Sequence, residues 1–510
     1  MTDAVDASES PKRVMKRRRK RVWILLVVLP IVLLGLDQAW VAWDRRILVG
    51  HDTTRITVPM LDGYPDYLGA INDEGRSGIS PENNGAPILL EAITGQGLSE
   101  EWTRCVYKEW GIAPAKGGDG FETYYDWLAK EITKGKAATK NFFQARDQFF
   151  DADRQQWSEA EHPDLARWIE SCAPAIGKLE EACAKPRFFM PLITQGGLSH
   201  DAANMAFIHI DDAWIDQAHN LSRAVIVRSM LRLQRRDWDG FEHDVELVGR
   251  LSRTLSEQPT LRQRMIASEM DEDTTLALQD AIRSGGMDKA RADALRAGME
   301  RLGPMPSLAE AWDKGERYAV LDVVCAANRT GYSPGYTRTA FQAVWFRFYA
   351  VNYSQIMRDD NAFFDELVKA FSVPDYQRRQ SEIKKLEQDV RGMAESGTWH
   401  KLTHPGEVFL TLLLPSASAV DGAQTKRDAE RALAITGLAL RAARERSGRY
   451  PETLGELKGF DVLQDPFNQK TLVYRRKDDG FILYSVGPNL ADDGGATKGS
   501  KYDVALEVKK

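Results

Sequence analysis

Two groups of side chains combine the residue types and spacing that metal chemistry needs. His209, Asp212, Asp216 and His219 recur at intervals of three, four and three, offsets that place all four on one face of a helix. Two imidazoles with two carboxylates suit Zn²⁺ or Fe²⁺ by ligand type, and would serve a metal-dependent hydrolase. Residues 209 and 219 are about 15 Å apart along a helix, so at most a pair plus a partner helix could meet one ion. The alternative is a solvated polar face with Trp214, Ile215 and Ala218 turned inward. The second group is Asn489, Asp492 and Asp493 beside Gly494 and Gly495, with Asp503 able to add a ligand from a following strand. Hard oxygen ligands and flexible backbone carbonyls are what Ca²⁺ prefers. Such a Ca²⁺ would be structural; the alternative is a polar hairpin loop.

Other chemistry is thinly represented. The chain contains no Gly-x-Ser-x-Gly, no His-Glu-x-x-His and no P-loop. Gly95-Gln96-Gly97 lacks the strand-turn context of a nucleotide fingerprint. Glu316 and Arg317 read as a helix-surface ion pair, and His400 and His404, interrupted by Pro405, as loop residues. Cys172 and Cys183 would be roughly 16 Å apart on one helix, beyond the ~7 Å limit for a disulfide, although Pro174 could break that helix. Four cysteines in 510 residues exclude a disulfide framework.

The elements that must position these residues begin with the amino end. Residues 12–21 read KRVMKRRRKR and are followed by VWILLVVLPIVLLGL at 22–36. As an uncleaved anchor, 22–43 is long enough to cross a bilayer core of ~30 Å, with Trp40 and Trp43 at the far interface. As a cleaved signal peptide, the run lacks a small-x-small site. A buried soluble helix is the third reading. The basic flank places the N-terminus in the cytoplasm and residues 44–510 outside it, and also suits anionic lipid headgroups. Residues 1–21 hold eight basic and three acidic residues, net +5, which leaves −11 of the total −6 for residues 22–510. An acidic body argues against nucleic acid as a partner.

Beyond the anchor the pattern is mostly helical. A helix start is expected at Ser80-Pro81-Glu82, and helical runs at 124–150, 165–184, 259–283, 288–301, 307–328 and 338–399. The clearest pair lies at 221–257, turning at Asp237-Trp238-Asp239-Gly240 and resembling a tetratricopeptide unit, without a second copy. PSASAVDG marks a linker at 415–424. An Ala-rich helix at 426–447 ending at Gly448 follows, then strands at 471–474, 481–486 and 502–508, the first two joined through Asp478-Asp479-Gly480.

SGRYPETLGEL at 447–457 and DPFNQKTLVYRRKDDGFILYSVGPNLADDGG at 465–495 resemble the soluble end of type II secretion major pseudopilins. That resemblance implies a helix on an antiparallel sheet and a Ca²⁺ in the Asn489–Asp493 loop. In that family the apolar helix runs directly into this module, whereas here the apolar run lies at 22–43. On a larger scale, residues 62–95, CAKPRFFMPL at 183–192, the helical pair at 221–257 and residues 303–322 look like a group of large single-anchor proteins of planctomycete-type bacteria. That likeness implies an anchored helical ectodomain capped by the pseudopilin-like module, and implies no activity.

The expected architecture is therefore a cytoplasmic stub (1–21), a transmembrane anchor (22–43), a mainly helical ectodomain (44–414), a linker (415–424) and an α+β module with an antiparallel sheet (425–510). The expected role is a non-catalytic, inner-membrane-anchored interaction or scaffold protein with an unidentified protein partner. No cofactor is expected beyond a structural Ca²⁺. The alternatives are a metal-dependent hydrolase around His209 and His219, and an accessory of a type II secretion or pilus-like apparatus.

Overall fold

The computed structural model describes residues 46–94, 97–114, 120–138, 141–194, 207–330, 352–395, 416–497 and 502–509, with Val32 and Leu36 singly. Apart from those two, the stub and the candidate anchor lie outside the described residues, as do Gly95, Gln96, His400 and His404. Among the described residues no helix is long and apolar enough to cross a membrane.

The described chain is mostly helical, with one small antiparallel sheet at its C-terminal end. A short ladder, β1 (Met60–Leu61) with β2 (Tyr64–Pro65), turns on Asp62 and Gly63 at φ 51° and 83°. It feeds α1 (Tyr67–Arg76), capped by the Asp66 carboxylate on the Gly69 amide. The helix expected from Ser80 starts later, as α2 (Ala86–Ile93). Asn84 is the reason. Its amide donates to the Phe189 carbonyl (3.1 Å) and accepts from the Phe189 amide (2.8 Å), so residues 80–84 are held as turns against a distant segment.

After α3 (Glu100–Trp110), the expected run 124–150 is two helices, α4 (Tyr124–Thr133) and α5 (Phe142–Ala152), separated at Gly135 with φ 69°. The run at 165–184 also divides, into α6 (Pro163–Ser171) and α7 (Ala173–Cys183), with Pro174 in the first turn of the second. Cys172 and Cys183 are free thiols, as are Cys105 and Cys325.

The centre is three consecutive helices packed on one another: α8 (Ala213–Gln234), α9 (Trp238–Ser256) and α10 (Leu261–Ser284). The turn between the first two is shorter than expected. Asp237 is the N-cap of α9, its carboxylate accepting from the Gly240 amide at 3.1 Å, so Trp238, Asp239 and Gly240 already belong to the helix. A full capping box, Thr260 with Gln263, starts α10.

Next come α11 (Lys289–Leu302), a π-helical turn (Ala311–Glu316), α12 (Arg317–Thr330), α13 (Tyr353–Phe371) and α14 (Tyr376–Glu395). The π turn lies against the start of α10. A Cβ on Gly315 would stand 2.5 Å from the Pro259 carbonyl oxygen, so only glycine permits this approach.

Residues 416–424, expected as a linker, instead open α15 (Ala417–Ser447), with Ser416 as its N-cap. Breaker composition loses here to tertiary hydrogen bonds. Arg379 Nε and Gln380 Nε2 on α14 reach the buried Asp421 carboxylate at 2.7 and 2.8 Å. Behind α15 lie β3 (Val473–Lys477), β4 (Gly480–Ser485) and β5 (Val504–Val508), antiparallel in that order, with Val473 opposite Tyr484 and Phe481 opposite Val508. Asp478, at φ 45°, turns the β3–β4 hairpin.

The C-terminal module, expected as a separate unit, shares its core with the helical body. One apolar cluster contains Leu278 and Ile282 of α10, Leu433 and Leu440 of α15, and Phe481 and Leu506 of the sheet. Gly437 marks how closely α15 is held between them. A Cβ there would meet Leu506 at 2.7 Å on one side and Ile282 at 3.1 Å on the other.

A buried ion cluster locks this assembly. Asp271 of α10, 4% exposed, accepts from Arg253 Nη1 of α9 at 2.8 Å and lies 3.5 Å from Arg431 Nη1 of α15. The same guanidiniums satisfy carbonyls at the end of α11: Arg253 Nη2 donates to Gly303 at 2.8 Å, and Arg431 donates to Met299. Asp271→Asn is expected to lower the unfolding free energy by about 3–5 kcal/mol, because two cations stay buried without their countercharge. Urea titration of the full-length chain measures it, and a loss below about 1 kcal/mol would show the cluster to be solvent-screened.

Candidate functional site

A cleft of about 150 Å³ opens between α1, the segment 188–192, the α9–α10 turn and the π turn. Its floor is apolar, from Ile71, Phe189, Met190 and Leu192, and its rim is charged. Arg264, 4% exposed, donates through Nε to the Gln258 carbonyl at 2.7 Å and through Nη2 to Glu310 at 3.0 Å. The Arg264 hydrogen bond holds the Glu310 carboxyl below its ordinary value. Burial disfavours the charge on Lys314, but its hydrogen bond to Glu74 together with the charges of Glu74 and Glu310 outweighs that and raises its pKa. With Glu74 and Glu310 both ion-paired, the rim suits recognition of an amphipathic group better than proton transfer. Ligand pockets commonly enclose about 300–1,000 Å³, so the cleft fits a side chain or small ion. Its residues come from four separate stretches of sequence, and no local pattern joins them.

The His/Asp group does not assemble as one helical face. His209 is exposed in a 3₁₀ turn (Phe207–His209), and α8 begins only at Ala213. The chain leaves the helical path because Ile210 bridges Thr194 and the Asp211 amide donates to the Ile193 carbonyl at 2.8 Å. Asp212 and Asp216 share a cation already on the protein, Arg262, at 2.8 and 2.7 Å. His219 turns to α10, 3.4 Å from Asp273 and 4.0 Å from Glu269. Among the described residues no three His, Cys, Asp or Glu side chains converge closely enough to hold a metal.

The acidic loop of the sheet is more ordered. Asp492 Oδ1 accepts from the Tyr484 hydroxyl at 2.7 Å and from the Gly494 amide at 2.9 Å, while Oδ2 lies 3.4 Å from Arg475. Asp493 Oδ2 accepts from Asn489 Nδ2 at 2.9 Å and from the Tyr502 amide at 3.3 Å. Asp503, 3% exposed, accepts from the Gly495 amide through Oδ2 at 2.7 Å, and its buried Oδ1 has no partner among the described residues. Burial, then the charges of Asp493 and Asp492, raise its pKa.

Glu316 and Arg317 do not pair at a surface. Arg317, 1% exposed, bridges Asp313 at 2.6 Å and Asp365 at 2.7 Å. Glu316 accepts from the Leu261 amide at the start of α10, and burial pushes its carboxyl up to about 7. The inner face of α5 (Ala145, Phe149, Ala152) is buried, while Phe142, Phe143 and Phe150 are 46%, 70% and 42% exposed. Doubled Phe at both ends of FFQARDQFF was the available signal: more aromatics than one buried stripe can use.

Comparison with protein-family models, curated proteins and solved structures returned no match at all. The site therefore stands on its geometry alone.

One buried acid has a measurable consequence. Asp360 on α13 is 1% exposed, its Oδ2 has no partner among the described residues, and burial, followed by the charge of Asp359, lifts its pKa well above the ordinary value. A folded-state pKa above the unfolded one favours the fold fully below about pH 3.9, and that contribution fades as pH rises toward the folded value. Asp360→Asn should match the parent near pH 4 and exceed it at pH 8, by about 1–3 kcal/mol for an unsatisfied buried group. Urea unfolding at both pH values tests this; equal stability at pH 8 would show the carboxylate to be solvated.

Proposed function

We propose that the chain is a non-catalytic interaction or scaffold protein of the bacterial envelope, anchored by residues 22–43 in the inner membrane. Its N-terminus is cytoplasmic and its helical body periplasmic. The observation that carries the interaction role is the outer face of α5. Phe149 on the inner side stacks with Tyr124 at a centroid distance of 5.9 Å and meets Trp168 at 5.7 Å, which holds the helix rigid. The helix turns Phe142, Phe143 and Phe150 outward. Arg146 lies over the Phe143 ring at 5.6 Å, and Arg223 over Phe150 at 5.1 Å. Preformed aromatic patches rimmed by charge are typical of protein-binding surfaces. The partner is a protein with an apolar or aromatic anchor residue and carboxylates opposite Arg146.

A structural Ca²⁺ is a second reading, supported by the unpartnered, buried Asp503 Oδ1 beside the Asp492–Asp493 loop. Asp503 and Asp493 would hold the ion, with Asn489 and Asp492 orienting the loop through their bonds to Asp493, Ala491 and Gly494. The ion would supply charge neutralisation to the end of β5, and no chemistry.

Two experiments test these readings. A photoreactive benzoylphenylalanine replacing Phe143 in the full chain, irradiated in native membranes, should yield one discrete protein adduct, lost when Phe150→Ser is added. No adduct, or the same adduct from position 470, would sink the docking face. For Ca²⁺, thermal melting should show stabilisation of about 2.7 kcal/mol at 100-fold excess over Kd, abolished by chelator and absent in Asp503→Asn. Identical melting curves with and without Ca²⁺ would discard the site.

A further inference from the structure

Residues 46–55, which directly follow the apolar run, are fastened along one stripe of α13. Ser354 Oγ donates to the Arg46 carbonyl at 3.0 Å and accepts from the Leu48 amide at 2.9 Å. Arg358 Nε donates to Asp52 at 2.7 Å, Asn361 Nδ2 to the Thr53 carbonyl at 2.6 Å, and Asp365 pairs with Arg55. Positions 354, 358, 361 and 365 are spaced four, three and four, which is a single helical face. Arg317, itself buried, binds Asp365 from behind. The segment is thus a rigid part of the body.

Its apolar residues divide. Ile47 and Ile56 turn inward onto the cluster formed by α1, α12 and α13. Leu48, Val49, Val58 and Met60 point outward, 60%, 42%, 74% and 41% exposed. Among the described residues no core claims them, and four large apolar side chains are exposed within thirteen consecutive residues, more than scattered single exposures explain.

Chain length decides what covers the patch. Leu48 is five residues beyond Trp43, so at about 3.5 Å per residue it can stand at most ~18 Å from the end of the anchor. Because the segment is clamped to α13, the body must come down with it. We infer that Leu48, Val49, Val58 and Met60 form a lipid-facing rim by which the body sits on the bilayer surface, α13 and the π turn being held close to the membrane. This rests on the anchor reading above. It adds a fixed orientation: the ectodomain lies against the lipid, and does not swing on a tether.

The test uses the full-length chain in phosphatidylethanolamine/phosphatidylglycerol vesicles. Val49→Cys, Val58→Cys and, as a control in the distal module, Lys470→Cys are labelled with a thiol-reactive bimane, and the unsubstituted chain supplies the background of native thiols. Vesicles contain a lipid with a nitroxide at headgroup depth. The rim predicts at least twofold stronger quenching at 49 and 58 than at 470, in protein that resists carbonate extraction. Retention with equal quenching at all three sites would overturn the rim and leave the anchor standing. A blue-shifted but unquenched label would assign the cover to protein and overturn it too. Release by carbonate would overturn the anchor reading, and the rim with it.

Discussion

The carboxylate of Asp271 is the point on which the rest of the architecture turns. It sits in α10 with water almost excluded, and a charge so placed is stable only with a countercharge and full hydrogen bonding. Arg253 and Arg431 supply both, from helices that precede and follow it in the chain. Their remaining donors then close the open carbonyls of α11. Three consecutive helices and the distant α15 are tied through one cluster, and hydrophobic burial alone would not select this register over a neighbouring one. A helix slipped by one residue would strand a cation in the core.

That lock changes the meaning of the C-terminal module. α15 packs on β4 and β5. In a subunit that assembles through its helix, the face away from the sheet must be free. Here that face is occupied by α10, α11 and α14, and Gly437 leaves no gap on either side. The module behaves as a wall of the helical body, and the acidic loop at its edge is presented from a rigid support.

At the other end, the stripe Ser354–Asp365 does for residues 46–55 what Asp271 does for the C-terminal module. It converts a segment of loop composition into a fixed part of the surface. With both ends bound, the outward Phe residues of α5, the charged cleft beside the π turn and the apolar edge at 48–60 are presented by one body. Recognition by such a surface loses little entropy on binding, because its helices are already ordered.

The sequence by itself determined much of the secondary structure. The periodicity of 221–257, the helix ending at Gly448 and the hairpin at Asp478 all follow from local rules of side-chain spacing and backbone freedom. Those rules act within a few residues, so they survive without knowledge of the fold. They failed where distant groups competed. Asn84 moved a helix start because its amide binds Phe189; Ile210 broke a helical face because it pairs with Thr194; and a linker of good breaker composition became helix because Arg379 and Gln380 reach Asp421. The same holds for the sites. The acidic loop was legible because its carboxylates are neighbours in sequence, whereas the charged cleft was not, its residues coming from four separate stretches. Only the tertiary structure could decide that Arg262 occupies the carboxylates of the expected metal group, since an ion pair across helices leaves no mark on spacing.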